Sequence, residues 1–394
     1  NDIHVGFQRK GGTTPASQET LRHYLLTQFE TTLDQSDEEH LFIAGDLFDD
    51  FEVSSRDWVA TYSILSGWLS KGKRLTMIAG NHDHSPKALR VSSYEALAYV
   101  LRIQYPKFVA LDIDHWSKIE PNVFALSHCS SQTVFEEKLN KILERLSGDE
   151  FFDDPIVFVH ANYDNKFAAQ ADHSLNVTVE MATQFKAAGA RLVFAHEHQH
   201  KRALGGSVYI MGNQWPTSVA DCLGNEVKCA HRLVEGTLMT VGTWSREDPE
   251  GYAEVDWRDL ANPELCTGFI KVVGDALASE ASEVISAIAA FRARSDAFVI
   301  TNGVKVDGIV EAESYVPSLS SATSGSLTVT SDADARGGSR LAWNPGASGT
   351  ATVAPLSNNG YSISCTGAGG TTVASVAITV TTNAPGLVAA YNFN

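Results

Sequence analysis

The sequence predicts an α/β fold in which two sheets are flanked by helices, followed by a small α/β unit and an all-β segment. Over roughly the first 240 residues, apolar runs of strand length alternate with amphipathic stretches of helical spacing, as in α/β domains. Four of the apolar runs end directly before segments containing aspartate, asparagine or histidine. The composition, 43% hydrophobic over 394 residues, is sufficient for a large core.

The predicted elements follow from local signals. Thr14 and Pro15 fit the N-cap and first position of a helix, and Gly189 fits the end of a later one. The first helix is expected to bury Leu21, Leu25, Phe29 and Leu33, and a second one Phe135, Leu139, Ile142, Leu143 and Leu146. Buried strands are predicted at Leu41–Ala44, Leu75–Ala79, Ile156–Val159 and Leu192–Ala195. Further runs between residues 205 and 258 are expected to complete a second sheet against the first.

Metal-type side chains follow the four predicted strands, and a further pair lies near residue 1. In chain order they are Asp2, His4, Asp46, Asp49, Asn81, His82, Asp83, His160, His196 and His198. Because ligands of open α/β sheets bind at the carboxyl ends of the strands, we expect these side chains to converge. Carboxylate, amide and imidazole groups suit two divalent cations better than a closed cysteine site. Two cations roughly 3.5–4 Å apart are suited to hydrolysing phosphate esters, so a phosphoesterase is predicted.

The charge and the cysteine content limit the binding partners and the cellular location that we expect for the protein. A net charge of −17 argues against binding nucleic acid through a basic surface of its own. The five cysteines show no paired CxxC spacing, which indicates free thiols in a reducing compartment, so a cytoplasmic location in a bacterial or phage-infected cell is expected. No run approaches the roughly 18–20 apolar residues of a membrane span, and no membrane partner is expected.

The ordered blocks resemble the signature of calcineurin-like metallophosphoesterases: Asp-x-His, Gly-Asp-x-x-Asp, Gly-Asn-His-Asp, a lone His and His-x-His, over about residues 2–200. Within that superfamily, Asp2–Gly6, Gly45–Asp49 and Tyr209–Gly212, with Ser218 and Gly224–Glu226 after them, are similar to SbcD-type nuclease subunits and related phage recombination nucleases. Protein phosphatases of the superfamily carry Arg and Glu where this chain has Asp50 and Asp83. Ala195 departs from the usual Gly, and its methyl group is expected to be tolerated with some crowding of the second metal.

The resemblance implies a role for each position. Asp2, His4 and His198 would hold one metal, Asn81, His160 and His196 the other, and Asp46 would bridge both. His82 would act beside the scissile phosphate, Asp83 would orient its imidazole, and Asp49 would support a ligand from behind. The resemblance also implies two divalent ions, with manganese expected.

The domain organisation is predicted from composition. We expect a metallophosphoesterase domain at 1–258, a small α/β capping domain at 259–315, an all-β module at 316–383 and the start of a further module at 384–394. Residues 316–394 contain four charged side chains whose charges cancel, and Tyr361–Gly367 resembles bacterial or phage immunoglobulin-like modules; a low-complexity linker is the alternative. A first strand is expected to be missing ahead of Asp2, which would leave Asp2 and His4 on a frayed terminus.

The leading functional hypothesis is a DNA exonuclease or endonuclease subunit acting in repair or recombination with an SMC-like ATPase partner. Arg9 and Lys10 could reach a DNA backbone, although ordinary solvated charges explain them equally well. The alternatives are a small-molecule phosphodiesterase of the cyclic-nucleotide type and a catalytically inactive interaction scaffold. A homodimer is also left open.

Overall fold

The structure is a computed structural model of the 394-residue chain. It describes residues 1–7, 12–84, 90–148, 151–165, 174–261 and 268–307, together with the backbone of strands 325–331, 339–343, 359–367 and 370–378. The chain divides into two compact units, one formed by residues 1–274 and 287–304 and the other by residues 275–286 and 305–394. This division runs through the region predicted to be a small domain, and the predicted domain boundaries remain a prediction.

The helices of the described residues are α1 (Pro15–Asp34), α2 (Ser55–Ser70), α3 (Ser93–Gln104), α4 (Gln132–Leu146), α5 (Val179–Ala187), α6 (Val219–Gly224) and α7 (Ala281–Arg294). Strands of the main sheets and their short neighbours are β1 (His40–Ala44), β2 (Arg74–Ile78), β3 (Phe108–Leu111), β4 (Trp116–Glu120), β5 (Val123–Leu126), β6 (Ile156–His160), β7 (Asn162–Tyr163), β8 (Asn176–Val177), β9 (Arg191–Ala195), β10 (Lys201–Ala203) and β11 (Val208–Ile210). Among the described helices, none is long and apolar enough to cross a lipid bilayer.

Two sheets lie at the centre of the first unit. One is parallel and has the strand order β1-β2-β3, and the other has the order β10-β11-β9-β6-β5-β4. Strands β1, β2, β6 and β9 occupy the four runs predicted to precede metal-type residues. The carboxyl ends of these strands therefore lie where the sequence pattern places the candidate ligands.

The core is layered as helix, sheet, sheet, helix. In β6, Val157 and Val159 pack in an apolar cluster with residues of α4 and α5. The alternate residues, Ile156 and Phe158, pack in a second cluster that contains Ala44 of β1. A third cluster joins β1 and β2 to α1, α2 and α3. Because side chains alternate along a strand, these clusters define the α/β, two-sheet arrangement flanked by helices that the sequence predicted.

The first helix shows how local signals fix an element. Thr14 accepts a hydrogen bond from the backbone N–H of Ser17, and Pro15 occupies the first turn, where no N–H is needed. The predicted stripe is buried in full: Leu21, Leu25, Phe29 and Leu33. Gly189, just beyond α5, has φ +76° and thus the left-handed backbone predicted for the end of a helix.

The prediction for residues 205–258 is wrong for most of that region. Within the described residues, β11 and its short neighbour β10 join the six-stranded sheet, whereas β12 (Val227–Val234) and β13 (Thr237–Ser245) form a separate antiparallel hairpin. Its two-residue turn, Glu235-Gly236, has positive φ at both positions, as a type I′ turn requires. β14 (Tyr252–Asp256) pairs instead with β15 (Phe269–Val273). Apolar runs predict strands but do not identify their pairing partners.

The remaining strands complete the two units. In the first, β15 also pairs with β17 (Val299–Asn302), and in the second, β16 (Asp275–Leu277) pairs with β18 (Lys305–Asp307). The tail strands β19 (Gly325–Ser331), β20 (Ser339–Trp343), β21 (Asn359–Gly367) and β22 (Gly370–Ile378) form an antiparallel sheet in the order β20-β19-β21-β22. The further module predicted at 384–394 lies outside the described residues, and the immunoglobulin-like sandwich remains a prediction.

Candidate metal centre

Asp2 and His4 are buried and hydrogen-bonded, contrary to the frayed terminus that we expected. Asp2 is 1% exposed to solvent and His4 is 4% exposed. The Asp2 N–H donates to the Gly45 carbonyl at 3.0 Å, and the His4 N–H donates to the Asp46 carbonyl at 3.1 Å. Val5 continues this pairing by donating to Leu47 at 2.9 Å. The segment is therefore fixed against the loop that follows β1.

Four candidate ligands have a left-handed backbone. The φ angles are 50° at Asp2, 51° at His4, 47° at Asp46 and 90° at His196. Residues other than glycine rarely adopt this region, and such strain is concentrated at functional sites because the surrounding structure must hold it. The fold thus holds these four residues in conformations that local preference alone would not select.

Two glycines permit the close approach of the strand ends. A Cβ atom on Gly80 would lie 2.0 Å from Asp46 Oδ1, and one on Gly45 would lie 2.3 Å from His160 Nδ1. Neither position can accept a larger residue without moving a candidate ligand. The Gly-Asp and Gly-Asn-His blocks therefore contain glycine for a steric reason as well as for backbone conformation.

The first cluster consists of Asp2, His4 and His198, whose ligand atoms lie within 4.8 Å of one another. His4 Nε2 and His198 Nε2 face each other at 3.2 Å. The other ring nitrogens lie near carboxylates, His4 Nδ1 at 3.2 Å from Asp49 and His198 Nδ1 at 3.1 Å from Asp221. Asp49 lies within ion-pair distance of His4, and its role in supporting a ligand remains a prediction.

The second cluster consists of Asp46, His160 and His196, with Asn81 beside them. His160 Nδ1 donates to the Ala44 carbonyl at 3.0 Å, so the Nε2 nitrogen faces inward. This Nε2 lies 3.1 Å from Asn81 Oδ1 and 3.1 Å from Asp46 Oδ2. Backbone hydrogen bonding thus selects the ring nitrogen that faces the two oxygen atoms.

Asp46 lies between the two clusters and also forms a third with His4 and His82. Its Oδ1 accepts a hydrogen bond from the backbone N–H of His82 at 3.1 Å, while its Oδ2 faces His160. Oδ2 also lies 3.9 Å from His4 Nε2, so this one carboxylate lies against members of both clusters, as a bridging ligand would.

Backbone N–H groups hold the Asp83 carboxylate, which does not orient the His82 imidazole as predicted. Burial lowers the pKa of His82, whereas Asp46, Asp49 and Asp83 raise it. The Asp83 carboxylate accepts hydrogen bonds from the backbone N–H groups of Leu47, Phe48 and Gly80 at 3.2, 3.0 and 2.9 Å. His82 Nδ1 instead donates to the Asp49 carbonyl at 2.5 Å. Neighbouring residues in a loop point in different directions, and these contacts differ from the orienting role that the family resemblance implied for Asp83. Asp83 ties the loop after β1 to the loop after β2.

The electrostatics of the cluster reflect burial and mutual contact. Burial alone would raise the pKa of Asp46, but the imidazoles of His160, His4 and His82 lower it well below its usual range. Burial alone would lower the pKa of His160, yet Asp46 raises it to about 9. Burial and the nearby Asp46 charge raise the pKa of Asp83 to about 6. The group is thus strongly coupled around Asp46.

The donor set fits divalent cations. Oxygen acceptors face His160 Nδ1 and His198 Nδ1, so in the neutral rings the lone pairs are on the Nε2 atoms. His198 Nε2 lies 3.2 Å from His4 Nε2, and His160 Nε2 lies 3.1 Å from two oxygen atoms. Lone pairs at these separations repel unless a proton or a cation lies between them. Imidazole, carboxylate and amide oxygen are ligands that borderline divalent ions accept.

A surface cleft of about 400 Å³ gives access to the clusters. His4, Asp46, His82, His196 and His198 line its floor, together with Phe7, Asp49, Asn162, Glu197 and Thr217. Among these lining residues, none is a lysine or an arginine. A phosphate group in this cleft would therefore depend on bound cations for charge compensation. Arg9 and Lys10 lie outside the described residues.

The structure shows the surroundings of two further residues, Ala195 and Asp221. Ala195 is fully buried in the apolar cluster between the sheets, among residues such as Ile156 and Phe158. Its methyl group is thus accommodated by the core, and crowding of the second metal remains a prediction. Sequence reasoning missed Asp221, the carboxylate behind His198. The available signal was Ser218-x-x-Asp221, the spacing of a helix N-cap followed by an acidic residue.

An α/β sandwich with carboxylate, amide and imidazole groups gathered at the strand ends defines a metal-dependent phosphoesterase. In agreement, a family model described as calcineurin-like phosphoesterase matches residues 1–200, and the chain belongs to that family. The family uses divalent metals, so membership indicates metal-dependent phosphoester hydrolysis. No curated protein matches the chain at a significant level.

Proposed function

We propose that this chain is a di-metal phosphodiester hydrolase that acts on DNA, as an exonuclease or endonuclease subunit in repair or recombination. One observation carries the hydrolase part of the proposal. Asp46 Oδ2 lies 3.1 Å from His160 Nε2 and 3.9 Å from His4 Nε2, so one carboxylate lies against both clusters of ligand-type side chains, and His82 lines the same open cleft. The sequence similarity to SbcD-type nuclease subunits supports DNA as the substrate.

In this proposal, Asp2, His4 and His198 hold one cation, Asn81, His160 and His196 hold the other, and Asp46 contacts both. When bound, two such cations make water more acidic and neutralise charge on a phosphate. Manganese is the proposed ion. The protein contributes a rigid donor set, since the side-chain directions are fixed by hydrogen bonds such as His160 to Ala44.

His82 is the proposed catalytic residue. Hydrolysis adds water to phosphorus and breaks a P–O ester bond, and the departing oxygen must gain a proton. The His82 Nδ1 atom is held by the Asp49 carbonyl, which leaves Nε2 for the substrate. Burial lowers the pKa of His82, but Asp46 and the Asp49 carbonyl raise it overall, which favours the protonated form of the ring. A protonated His82 can donate to the leaving oxygen or stabilise its charge.

A polyanionic substrate also needs affinity from outside this chain. The net charge is −17, and the described residues that line the cleft include no lysine or arginine. Long-range attraction of DNA is therefore weak. An SMC-like ATPase partner that clamps DNA would supply the missing contacts, which is why we propose such a partner.

The test compares linear DNA, bis-p-nitrophenyl phosphate and cyclic nucleotides as substrates of the full chain in Mn²⁺. The proposal expects hydrolysis of the diester and digestion of DNA, and a loss of ~10²-fold or more in His82→Ala. His23→Ala is the control, because His23 is an exposed imidazole on α1. Turnover of cyclic nucleotides without DNA cleavage would favour the small-molecule alternative, and wild-type activity of His82→Ala on DNA would refute the mechanism.

A further inference from the structure

We propose that Asp221 is the positioning residue for His198, holding its ring so that Nε2 is presented to a divalent cation. The inference rests on the metal centre of the proposed function. It concerns a residue outside all three clusters, contributed by helix α6 and only 7% exposed.

The two carboxylate oxygens of Asp221 have separate partners. Oδ1 lies 3.1 Å from His198 Nδ1. Oδ2 accepts from the Thr217 N–H and the Thr217 hydroxyl, both at 2.8 Å, and faces Asn213 Nδ2 at 3.4 Å. Because these donors all converge on Oδ2, the carboxylate cannot rotate without losing hydrogen bonds, and Oδ1 stays directed at the ring.

This contact selects the tautomer of His198. A carboxylate only accepts hydrogen bonds, so Nδ1 must carry a proton, and in the neutral ring Nε2 then keeps its lone pair. That Nε2 is the atom that faces His4 Nε2 at 3.2 Å in the first cluster. Without Asp221, either ring nitrogen could hold the proton, and the fraction of protein ready to bind a cation would fall.

The backbone of His198 is held from another direction. Lys228 on β12 is only 2% exposed, and its Nζ donates to the His198 carbonyl at 2.7 Å. Asp221 is itself fixed at the third position of α6, where the Ser218 hydroxyl accepts from its N–H at 3.1 Å. The ring and the backbone of His198 are therefore both anchored by residues that follow β11 in the chain. None of the described residues after β11 belongs to the three clusters.

Asp221→Asn is the informative substitution because it keeps the shape and changes the donors. The Thr217 donors require the amide oxygen, so the amide NH₂ would face His198 Nδ1. Nδ1 would then have to accept, and the proton would move to Nε2. We expect one Mn²⁺ site to weaken by ~10–100-fold while the other is retained, measured by isothermal titration calorimetry and by the electron paramagnetic resonance signal of bound Mn²⁺.

Asp57→Asn is a matched control. Asp57 is also the third residue of a helix after a capping serine, Ser54, and is 3% exposed. Its loss breaks contacts with Arg22 and Ser54, neither of which belongs to the clusters, so it should lower thermal stability without changing Mn²⁺ affinity. Thr217→Ala is a second test that keeps the carboxylate, and it should weaken the same site by a smaller factor, ~2–5-fold.

The outcomes separate this inference from the proposed function. If wild-type protein binds two Mn²⁺ ions and Asp221→Asn binds them equally well, Asp221 has no positioning role, although the metal centre stands. An equal loss of affinity in Asp57→Asn would show general destabilisation and overturn the inference. If Asp221→Asn does not fold, unchanged affinity in Thr217→Ala overturns it. Wild-type protein that binds no Mn²⁺ refutes both proposals.

Discussion

Replacing Gly80 by alanine should disrupt the metal centre by displacing Asp46. The added Cβ atom would lie 2.0 Å from Asp46 Oδ1, 2.5 Å from the Asp46 nitrogen and 2.7 Å from Asp46 Cγ. All three atoms belong to one residue that is 1% exposed. The clash therefore cannot be relieved by rotating a long, flexible side chain into solvent.

The size of the effect follows from these distances. Van der Waals contacts between heavy atoms lie near ~3.5 Å, so the Asp46 carboxylate would have to retreat by roughly 1.5 Å. Overpacking of this kind costs about 1–3 kcal/mol, which corresponds to a melting temperature lower by about 2–12 °C for a domain of this size. A misplacement of about 1 Å in a reacting group commonly costs about 10²-fold in rate. Activity should thus fall more than stability alone explains.

The assay is hydrolysis of bis-p-nitrophenyl phosphate in Mn²⁺, with thermal unfolding and Mn²⁺ titration of the same preparation. Gly67→Ala is the control, because Gly67 lies inside α2 and an added Cβ meets nothing within 4 Å. That change should leave activity intact and stabilise the helix by about 0.5–1 kcal/mol. A Gly80→Ala protein with wild-type Mn²⁺ affinity and turnover would show that Asp46 does not need its present position.

Three further predictions concern metal, core and pH. Mn²⁺ at about 100 times its Kd should raise the free energy of unfolding of the wild-type protein by about 2.7 kcal/mol, and this increase should be absent in Asp46→Asn. An equal increase in wild type and variant would argue against Asp46 as a ligand. Ala195→Gly removes a buried methyl group and increases the entropy of the unfolded chain, so it should lower the free energy of unfolding, measured with denaturant, by about 1–2 kcal/mol. Mn²⁺ affinity should stay unchanged, and tighter Mn²⁺ binding would instead show that the methyl group crowds the second metal. Burial lowers the pKa of His128 from 6.5 to about 3, so the folded state resists protonation and the free energy of unfolding falls as the pH drops below 6.5. Between pH 6.5 and 5, the free energy of unfolding should fall by about 2 kcal/mol more in wild type than in His128→Gln. Equal decreases in the two proteins would contradict the pKa shift.

The strand and ligand positions were predictable because both leave a local trace. Ile156–His160 shows an unbroken apolar run that ends in an imidazole, and the structure places that imidazole at the strand end. The pairing partners of the strands were harder to predict from the sequence than the strand positions. Tyr252–Asp256 was assigned to the second sheet, yet it pairs with Phe269–Val273 in another one. Strand propensity reports a residue's fit to a pleated surface, and the choice of neighbour depends on the whole chain.

The groups that orient the ligands were the least predictable part of the site. His160 is held by the Ala44 carbonyl, His82 by the Asp49 carbonyl and His198 by Asp221. A backbone carbonyl has no sequence signature, and Asp221 is one of 47 acidic residues, separated from its imidazole by 23 positions. A sequence therefore indicates which atoms could bind a cation, because that depends on residue type. Which nitrogen keeps its lone pair depends on the folded backbone. The contacts of His82 and Asp83 depend on it too, and they differ from the orienting role that the family resemblance implied for Asp83.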